Sequence, residues 1–343
     1  MNVRRPRYEV IYNSADITED ISRFLIGLTY TDCVQGKSDS LDIELEDTDL
    51  VWQNDWFPAK GDTLEVRIGY DNLLVPCGLF EIDEVEASGP PDSLSVRALA
   101  AGITKALRTK SSAAYEGQTL RRIAQQVAAR TGLSVTGEVE AVTIERATQH
   151  RETDLQFLYR ISKEYGHVFS VRGGQLVFSR IYDLEEGSAV TRLSRTDLTS
   201  YELRDKTAST FARSRVRYHD PRTQEVVEST VEAEGVETSA DTLATWVKAE
   251  SQQQADEIAR SILHNSNTKT AEGRIVVEGN PYLLAGSNVE LVGLGALSGV
   301  YHVEESQHSI SPFGYSTSCQ VKRVGTVPQE LWRSTRNQSF NLQ

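Results

Sequence analysis

The sequence is poor in the patterns that mark most function classes. It holds three cysteines, Cys33, Cys77 and Cys319, odd in number and without CxxC spacing. That excludes a disulfide framework or a cysteine zinc site as an organising feature, and buried reduced thiols are expected. No apolar run approaches the ~20 residues needed to cross a bilayer, so no membrane span is expected. Residues 1–7 are basic but lead into a mixed strand pattern and not an apolar segment. No secretory signal is read there, and synthesis in a cytoplasm is expected. Positive charge is also scarce: 36 Lys and Arg stand against 49 Asp and Glu, a net charge of −13. A nucleic-acid binder needs basic patches to neutralise phosphate, so no specific nucleic-acid binding is expected. The acidic surplus suits a protein that repels DNA or meets a basic partner, and plain solubility explains it equally well.

Recognisable catalytic signatures are missing too. Gly36-Lys37-Ser38 has the end of a phosphate-binding loop, but Thr31 stands where that pattern needs glycine. No GxGxxG follows a strand, and there is no GxSxG elbow. Of the six histidines only His302 and His308 are close in sequence, without an HxxxH helix or a nearby cysteine, so no metal site is read. Carboxylate pairs such as Asp83-Glu84 and Glu304-Glu305 fit a solvated acidic surface. No catalytic residue, cofactor or metal is assigned.

What is present is strand pattern with two helical interruptions. Strands are read at 8–12, 28–34, 41–46, 61–68, 78–85 and 93–98, with a short helical or turn segment within 16–27. A helix is read over 117–132 and a short strand over 133–136. Thr153 and Gln156 form a capping box for the next helix, which ends at Gly166. A hairpin follows about Gly173-Gly174, with strands at 167–171 and 175–179. Strand pattern returns from about 196, with a helix near 251–263 and strands at 273–279, 288–293, 299–306 and 316–324. The fold class is therefore mainly β (α+β). A β region at 1–105 and another at 191–326, the latter holding the helix near 251–263, flank a small α+β insert at 106–190. Residues 327–343 form a polar extended tail, in which Leu331, Trp332 and Phe340 could anchor to a neighbour.

Two charged rows stand out. Asp42, Glu44 and Glu46 alternate with Leu41, Ile43 and Leu45, so three carboxylates share one strand face. Arg213, Arg215 and Arg217 form a basic counterpart. Each row reads as a solvated face, or as a charged lumen or contact between β regions.

The two β regions repeat each other. Residues 61–66, GDTLEV, match 286–291, GSNVEL; residues 77–84, CGLFEIDE, match 298–305, SGVYHVEE. Each match leads through a turn into a further strand. One chain would then carry two similar barrels in tandem, and three chains would place six barrels in a ring.

Four segments resemble the late control D family, the baseplate hub proteins of tailed phages. They are 30–47 with 56–62 (WFPAKGD), 110–120 (KSSAAYEGQTL), 154–158 (DLQFL) with Tyr165-Gly166, and 279–286 with 299–303 and 308–317. The stretch 149–178 is also similar to the N-terminal part of type VI secretion spike proteins. The resemblance implies two tube-type barrels per chain and a homotrimer at the tip of the tail tube. It implies the tail tube protein, a central spike protein and other baseplate proteins as partners, and a place in the baseplate of a phage or phage-tail-like particle. The spike is expected to be a separate polypeptide. A cell-wall hydrolase or carbohydrate-binding tail protein, and a type VI spike component, remain the other readings.

Overall fold

A computed structural model of the chain describes residues 4–324 except 35–37, 72, 102–108, 140–142, 173–174, 207–209, 220–225, 234–240, 248, 250–251 and 268–270. The tail residues Leu331, Trp332 and Phe340 lie outside the described residues, as do Gly36, Lys37 and the Gly173-Gly174 turn.

Period-two alternation makes the chain mainly β, as the sequence predicts. Strands are numbered in chain order. The N-terminal series is β1 (Pro6–Tyr12), β2 (Ala15–Asp16), β3 (Leu25–Cys33), β4 (Ser40–Glu46), β5 (Thr63–Tyr70), β6 (Leu73–Ser88) and β7 (Ser93–Ala100). The C-terminal series is β13 (Ala189–Ser194), β14 (Leu198–Asp205), β18 (Ala271–Glu278), β19 (Asn288–Val292), β20 (Gly299–Ser311) and β21 (Gly314–Arg323). Both series belong to one sheet of thirteen strands among the described residues.

The two series pair their strands in the same order. The N-terminal order is β3-β4-β7-β6-β5-β1, and the C-terminal order is β14-β18-β21-β20-β19-β13. Details repeat as well. The Gly61 amide donates to the Ile82 carbonyl and the Ile82 amide to Asp62; Gly286, Val303 and Ser287 make the same two bonds. Gly61 and Gly286 both adopt a left-handed φ, +91° and +87°, which a side chain would resist. Each series carries a bulge at the matching place, between Ile82 and Glu84 and between Val303 and Glu305. A second pair of bulges lies at Leu25/Gly27 and Leu198/Ser200. The departures are local. β5 and β6 extend past the shared register through Arg67↔Pro76 to Tyr70↔Leu73, which accounts for the longer N-terminal hairpin. β1 runs antiparallel to β5, whereas β13 runs parallel to β19.

The insert holds two small sheets, and a third, at 213–246, joins their core although the sequence reading places it in the C-terminal β region 191–326. β8 (Lys110–Thr119) pairs with β10 (Thr143–Thr153). β9 (Ser134–Gly137), β12 (Gln175–Arg180) and β11 (His167–Arg172) form a second sheet. β16 (Val226–Glu232), β15 (Arg213–His219) and β17 (Thr242–Trp246) form a third. The helices Leu120–Thr131 and Asp154–Glu164 bury Ile123, Val127, Phe157, Leu158 and Ile161 between these units. The capping box at Thr153 and Gln156 is present. β8 and β10 carry no strong strand pattern in sequence, because Tyr115, Ile144 and Ala147 are nearly the whole of their buried apolar surface.

The helix Gln252–Asn267 packs differently from its place in the sequence. Sequence reading assigns it to the C-terminal β region. Its buried residues Ala255, Ile258 and Ala259, with Val216 of β15, join the core that contains Phe157 and Ile161. Gln254 donates to the Tyr165 hydroxyl and Ser261 Oγ to the Lys163 carbonyl at 2.9 Å. The apolar stripe of this helix is generic, so nothing local identifies which core takes it. Removing buried methylenes leaves a void, so Ile258→Ala should cost about 2–5 kcal/mol. Its melting temperature should fall, and amide exchange should rise in β16 and the Asp154–Glu164 helix before β18 and β21. Exchange rising first in β18 and β21 would contradict this packing.

Candidate functional site

The two series meet at a seam of strand pairing. The β20 strand is 13 residues long. Its first residues, Gly299–His302, pair with β19, and its later residues, Glu305–Ile310, run on to pair antiparallel with β3. The register sets Cys33 against Glu305, Thr31 against Gln307, Tyr30 against His308 and Leu28 against Ile310.

One face of the seam is a buried polar cluster. Asp32 is fully buried and accepts the Ala285 amide at 2.9 Å. This bond joins the two series at a point that water does not reach. Tyr30 stacks on His308 with centroids 5.9 Å apart. His308 Nδ1 lies 2.8 Å from the Tyr315 hydroxyl, and Nε2 lies 3.0 Å from Ser306 Oγ, which donates to the Leu283 carbonyl. The Ser306–His308 contact has the residue types of a hydrolytic dyad. Both side chains are fully buried, so substrate and water reach neither. Burial drives His308 down to about 4, and the ring is a neutral packing and hydrogen-bonding element at pH 7. On the other face Thr29 Oγ1 meets Ser309 Oγ at 3.2 Å, and Cys33 Sγ donates to Glu305 at 3.6 Å.

A second node ties the insert to the C-terminal series. Glu185, at the end of the short helix Ile181–Glu185, contacts His264 Nε2 at 2.6 Å and Lys322 Nζ at 2.8 Å. Burial alone would raise the Glu185 carboxyl, but the His264 hydrogen bond and Lys322 outweigh it and leave it lowered. The Asn288 amide donates to the Leu184 and Gly187 carbonyls at 2.8 and 2.6 Å, and its oxygen meets His302 Nδ1 at 2.8 Å. Burial, then repulsion by Lys322, drives His302 down to about 4. A cleft of about 450 Å³ opens beside this node, lined by Val34, Lys163, His167, Asn265, His302 and Lys322 among others.

The insert has its own polar centre on the resemblance residues. Asp154 accepts from Arg130 at 2.6 Å, Gln149 at 2.9 Å and Ser111 at 3.1 Å. Burial acts to raise this carboxyl, and the Arg130 and Gln149 bonds leave it lowered. Arg130 also donates to the Tyr115 hydroxyl at 2.8 Å. These bonds close the β8–β10 pair onto both helices.

The charged rows are not brought together. Asp42, Glu44 and Glu46 lie on β4 with Leu41, Ile43 and Leu45 buried behind them. Asp42 sits 3.9 Å from Arg97 across the strand pair, and Glu46 accepts from Thr48. Burial raises the Asp42 carboxyl, and Arg97 counters part of that rise. Arg213, Arg215 and Arg217 lie on β15 in the insert's third sheet. They pair with Glu232 at 3.0 Å and with Glu228 at 3.5 and 2.7 Å. The sequence places Tyr30 and Asp32 in a resemblance segment without giving them a role, and gives no signal for Glu185 and Lys322; the importance of all four comes from burial at a distant contact. Among the described residues no group of His, Cys, Asp and Glu is arranged to hold a metal ion.

The profile of the phage tail baseplate hub (GPD) family matches residues 81–312, and the chain belongs to this family. It is 34% identical over 189 residues to the probable baseplate hub protein of Escherichia phage P2, covering 54% of this chain and 47% of that protein. The chain thus spans about half the length of the curated relatives it matches. A tail protein from Neisseria meningitidis MC58 superposes with TM-score 0.70 at 13% identity, over 93% of this chain and 97% of that one. A type VI secretion system component of Escherichia coli superposes with TM-score 0.58 at 12% identity, over 88% and 74% of the two chains. At these identities the likeness is one of fold.

The two neutral histidines make stability depend on pH. His302 and His308 titrate near 4 when folded and near the ordinary 6.5 when unfolded. The unfolded chain therefore binds more protons as pH falls below 6.5, and stability drops from there toward pH 4, by up to about 1.4 kcal/mol per pH unit per histidine. Urea titrations should show this slope, and His308→Gln should flatten it. A midpoint unchanged between pH 7 and pH 5 in the unaltered chain would contradict the assignment.

Proposed function

We propose that the chain is a structural hub subunit of a phage-type tail baseplate and carries no enzyme activity. Three copies form a ring in which six related β series follow the six-fold tail tube, while the three-fold axis receives the central spike. The observation that carries this reading is the repeat: the same strand order, the same glycine turn and the same bulges, joined by the β3–β20 seam. A chain with two near-equivalent series is what a trimer needs to present six-fold contacts. Each series then forms one tube-type barrel segment, and the insert, with β15–β17 and the helix Gln252–Asn267, braces them. Partners are the tail tube protein, the spike protein and neighbouring baseplate proteins. The chain is made in the bacterial host cytoplasm and ends in the baseplate.

The acidic balance suits a channel that does not retain DNA. Asp42, Glu44 and Glu46 are the lumen candidates, because their carboxylates stand on the open face of β4. Arg213, Arg215 and Arg217 suit a contact role less, since Glu228 and Glu232 already match their charge. The buried state of Ser306 and His308 speaks against the hydrolase reading.

Light scattering of the purified chain mixed with its spike protein should give the mass of a trimer. A stable monomer under those conditions would sink the ring. Reversing Asp42, Glu44 and Glu46 together to lysine should impair particle function while leaving the melting temperature within a few degrees. Normal particle function after that reversal would remove them from the lumen.

A further inference from the structure

The repeat makes each strand edge of one series equivalent to an edge of the other. β3 corresponds to β14, because Thr29↔Asp42 and Tyr30↔Leu41 occupy the places of Glu202↔Arg274 and Leu203↔Gly273. The later part of β20 corresponds to the later part of β6, because Glu305↔Gln320 and Ser306↔Cys319 occupy the places of Glu84↔Arg97 and Val85↔Val96. Within the chain one such pair of edges meets, β3 with β20. The other pair, β14 and residues 84–88 of β6, does not. Among the described residues β14 pairs only with β18, and residues 84–88 pair only with β7. Because the inner pairings match residue for residue, the same backbone N–H and C=O groups point outward from these edges as from β3 and β20.

We propose that β14 of one copy of this chain adds to residues 84–88 of a second copy, antiparallel, in the register of the β3–β20 seam. This deepens the ring reading above and rests on it only for closure at three. The register is fixed by the equivalences. It sets Glu86 against Arg204, Ser88 against Glu202, Ala87 against Leu203 and Val85 against Asp205, and it brings Lys206 opposite Glu84. Two opposite-charge pairs thus fall directly across from one another, the arrangement that favours pairing between strands; in the single chain Arg204 meets Glu202 and Lys206 meets Glu272 at the exposed surface, so in the contact Glu86 and Glu84 share or replace these partners. Glu84, Glu86, Ala87 and Ser88, and Glu202, Arg204, Asp205 and Lys206, are all exposed in the single chain.

A second correspondence concerns the buried anchor. Asp32 is equivalent to Asp205, and the Ala285 that binds Asp32 is equivalent to Lys60, which precedes Gly61 as Ala285 precedes Gly286. Asp32 is fully buried, whereas the Asp205 side chain is 54% exposed, with Arg323 3.7 Å away, and Lys60 is exposed. Across the new contact Asp205 of one copy meets Lys60 of the next, with an ammonium added to the backbone donor. The contact is head-to-tail, so it must close into a ring or grow as a filament, and long exposed edges of this kind pair readily.

Cysteine pairing tests the register. The full chain carrying Glu86→Cys and Arg204→Cys together is oxidised mildly and run on a non-reducing denaturing gel, with its mass in solution read by light scattering. A ladder ending at three chains is expected, absent from either single variant. Glu86→Cys with Leu203→Cys should link at least tenfold less, because a one-residue shift turns the side chain to the other face. In the otherwise unaltered chain, Arg204→Glu should raise the concentration needed for assembly at least tenfold, and adding Glu86→Arg should restore it. A chain that is trimeric by mass but unlinked, or linked equally by the shifted pair, would overturn this edge and leave the hub reading standing. A chain that stays monomeric and unlinked even with its spike protein present would overturn both.

Discussion

Everything in this structure depends on the hydrogen-bonded contact between β3 and the far end of β20. Among the described residues it is the one strand pairing between the two β series, which without it are separate sheets. With it they form one continuous sheet in which the second series continues the first. The contact is held by backbone pairing over residues 28–33 and 305–310 and pinned by Asp32 on the Ala285 amide. The carboxylate is fully buried. A buried carboxyl oxygen without a hydrogen-bond donor would be costly, so the pairing is specific in register as well as favourable. His308 serves the same end, because a neutral imidazole can bridge Ser306 and Tyr315 while stacking on Tyr30.

The insert acts on this frame from outside the sheet. Its cohesion comes from an apolar core of helices and from the Asp154 cluster. Its grip on the frame comes from Glu185, which holds Lys322 of β21, and from Asn288 of β19, which holds the end of the Ile181–Glu185 helix. The chain therefore carries its buried polar interactions where parts must keep a fixed relation.

Much of this was legible in the sequence, and the failures have physical causes. The hairpins beginning at Gly61 and Gly286 were visible because a left-handed glycine and a period-two apolar pattern are local signals. Thr153 and Gln156 announced their helix for the same reason. The seam was not visible, since Thr29 and Ser309 are 280 residues apart and no local pattern encodes which distant edge a strand will meet. The stripe of Ala255, Ile258 and Ala259 marks the helix Gln252–Asn267 but not the core it joins, because it fits any apolar groove of that width. β8 and β10 went unread because polar, small-residue strands owe their structure to the helices above them. His302 and His308 were noticed as neighbours; that both are buried and neutral is a property of the fold alone.

The central claim is that one chain supplies two near-equivalent positions around a common axis. End-on electron-microscopy averages of the assembled chain test it most directly. Six lobes of closely similar size and spacing around a central opening, alternating only in their outer features where the inserts lie, are expected. Three lobes, or six that alternate in radius around the opening itself, would contradict it.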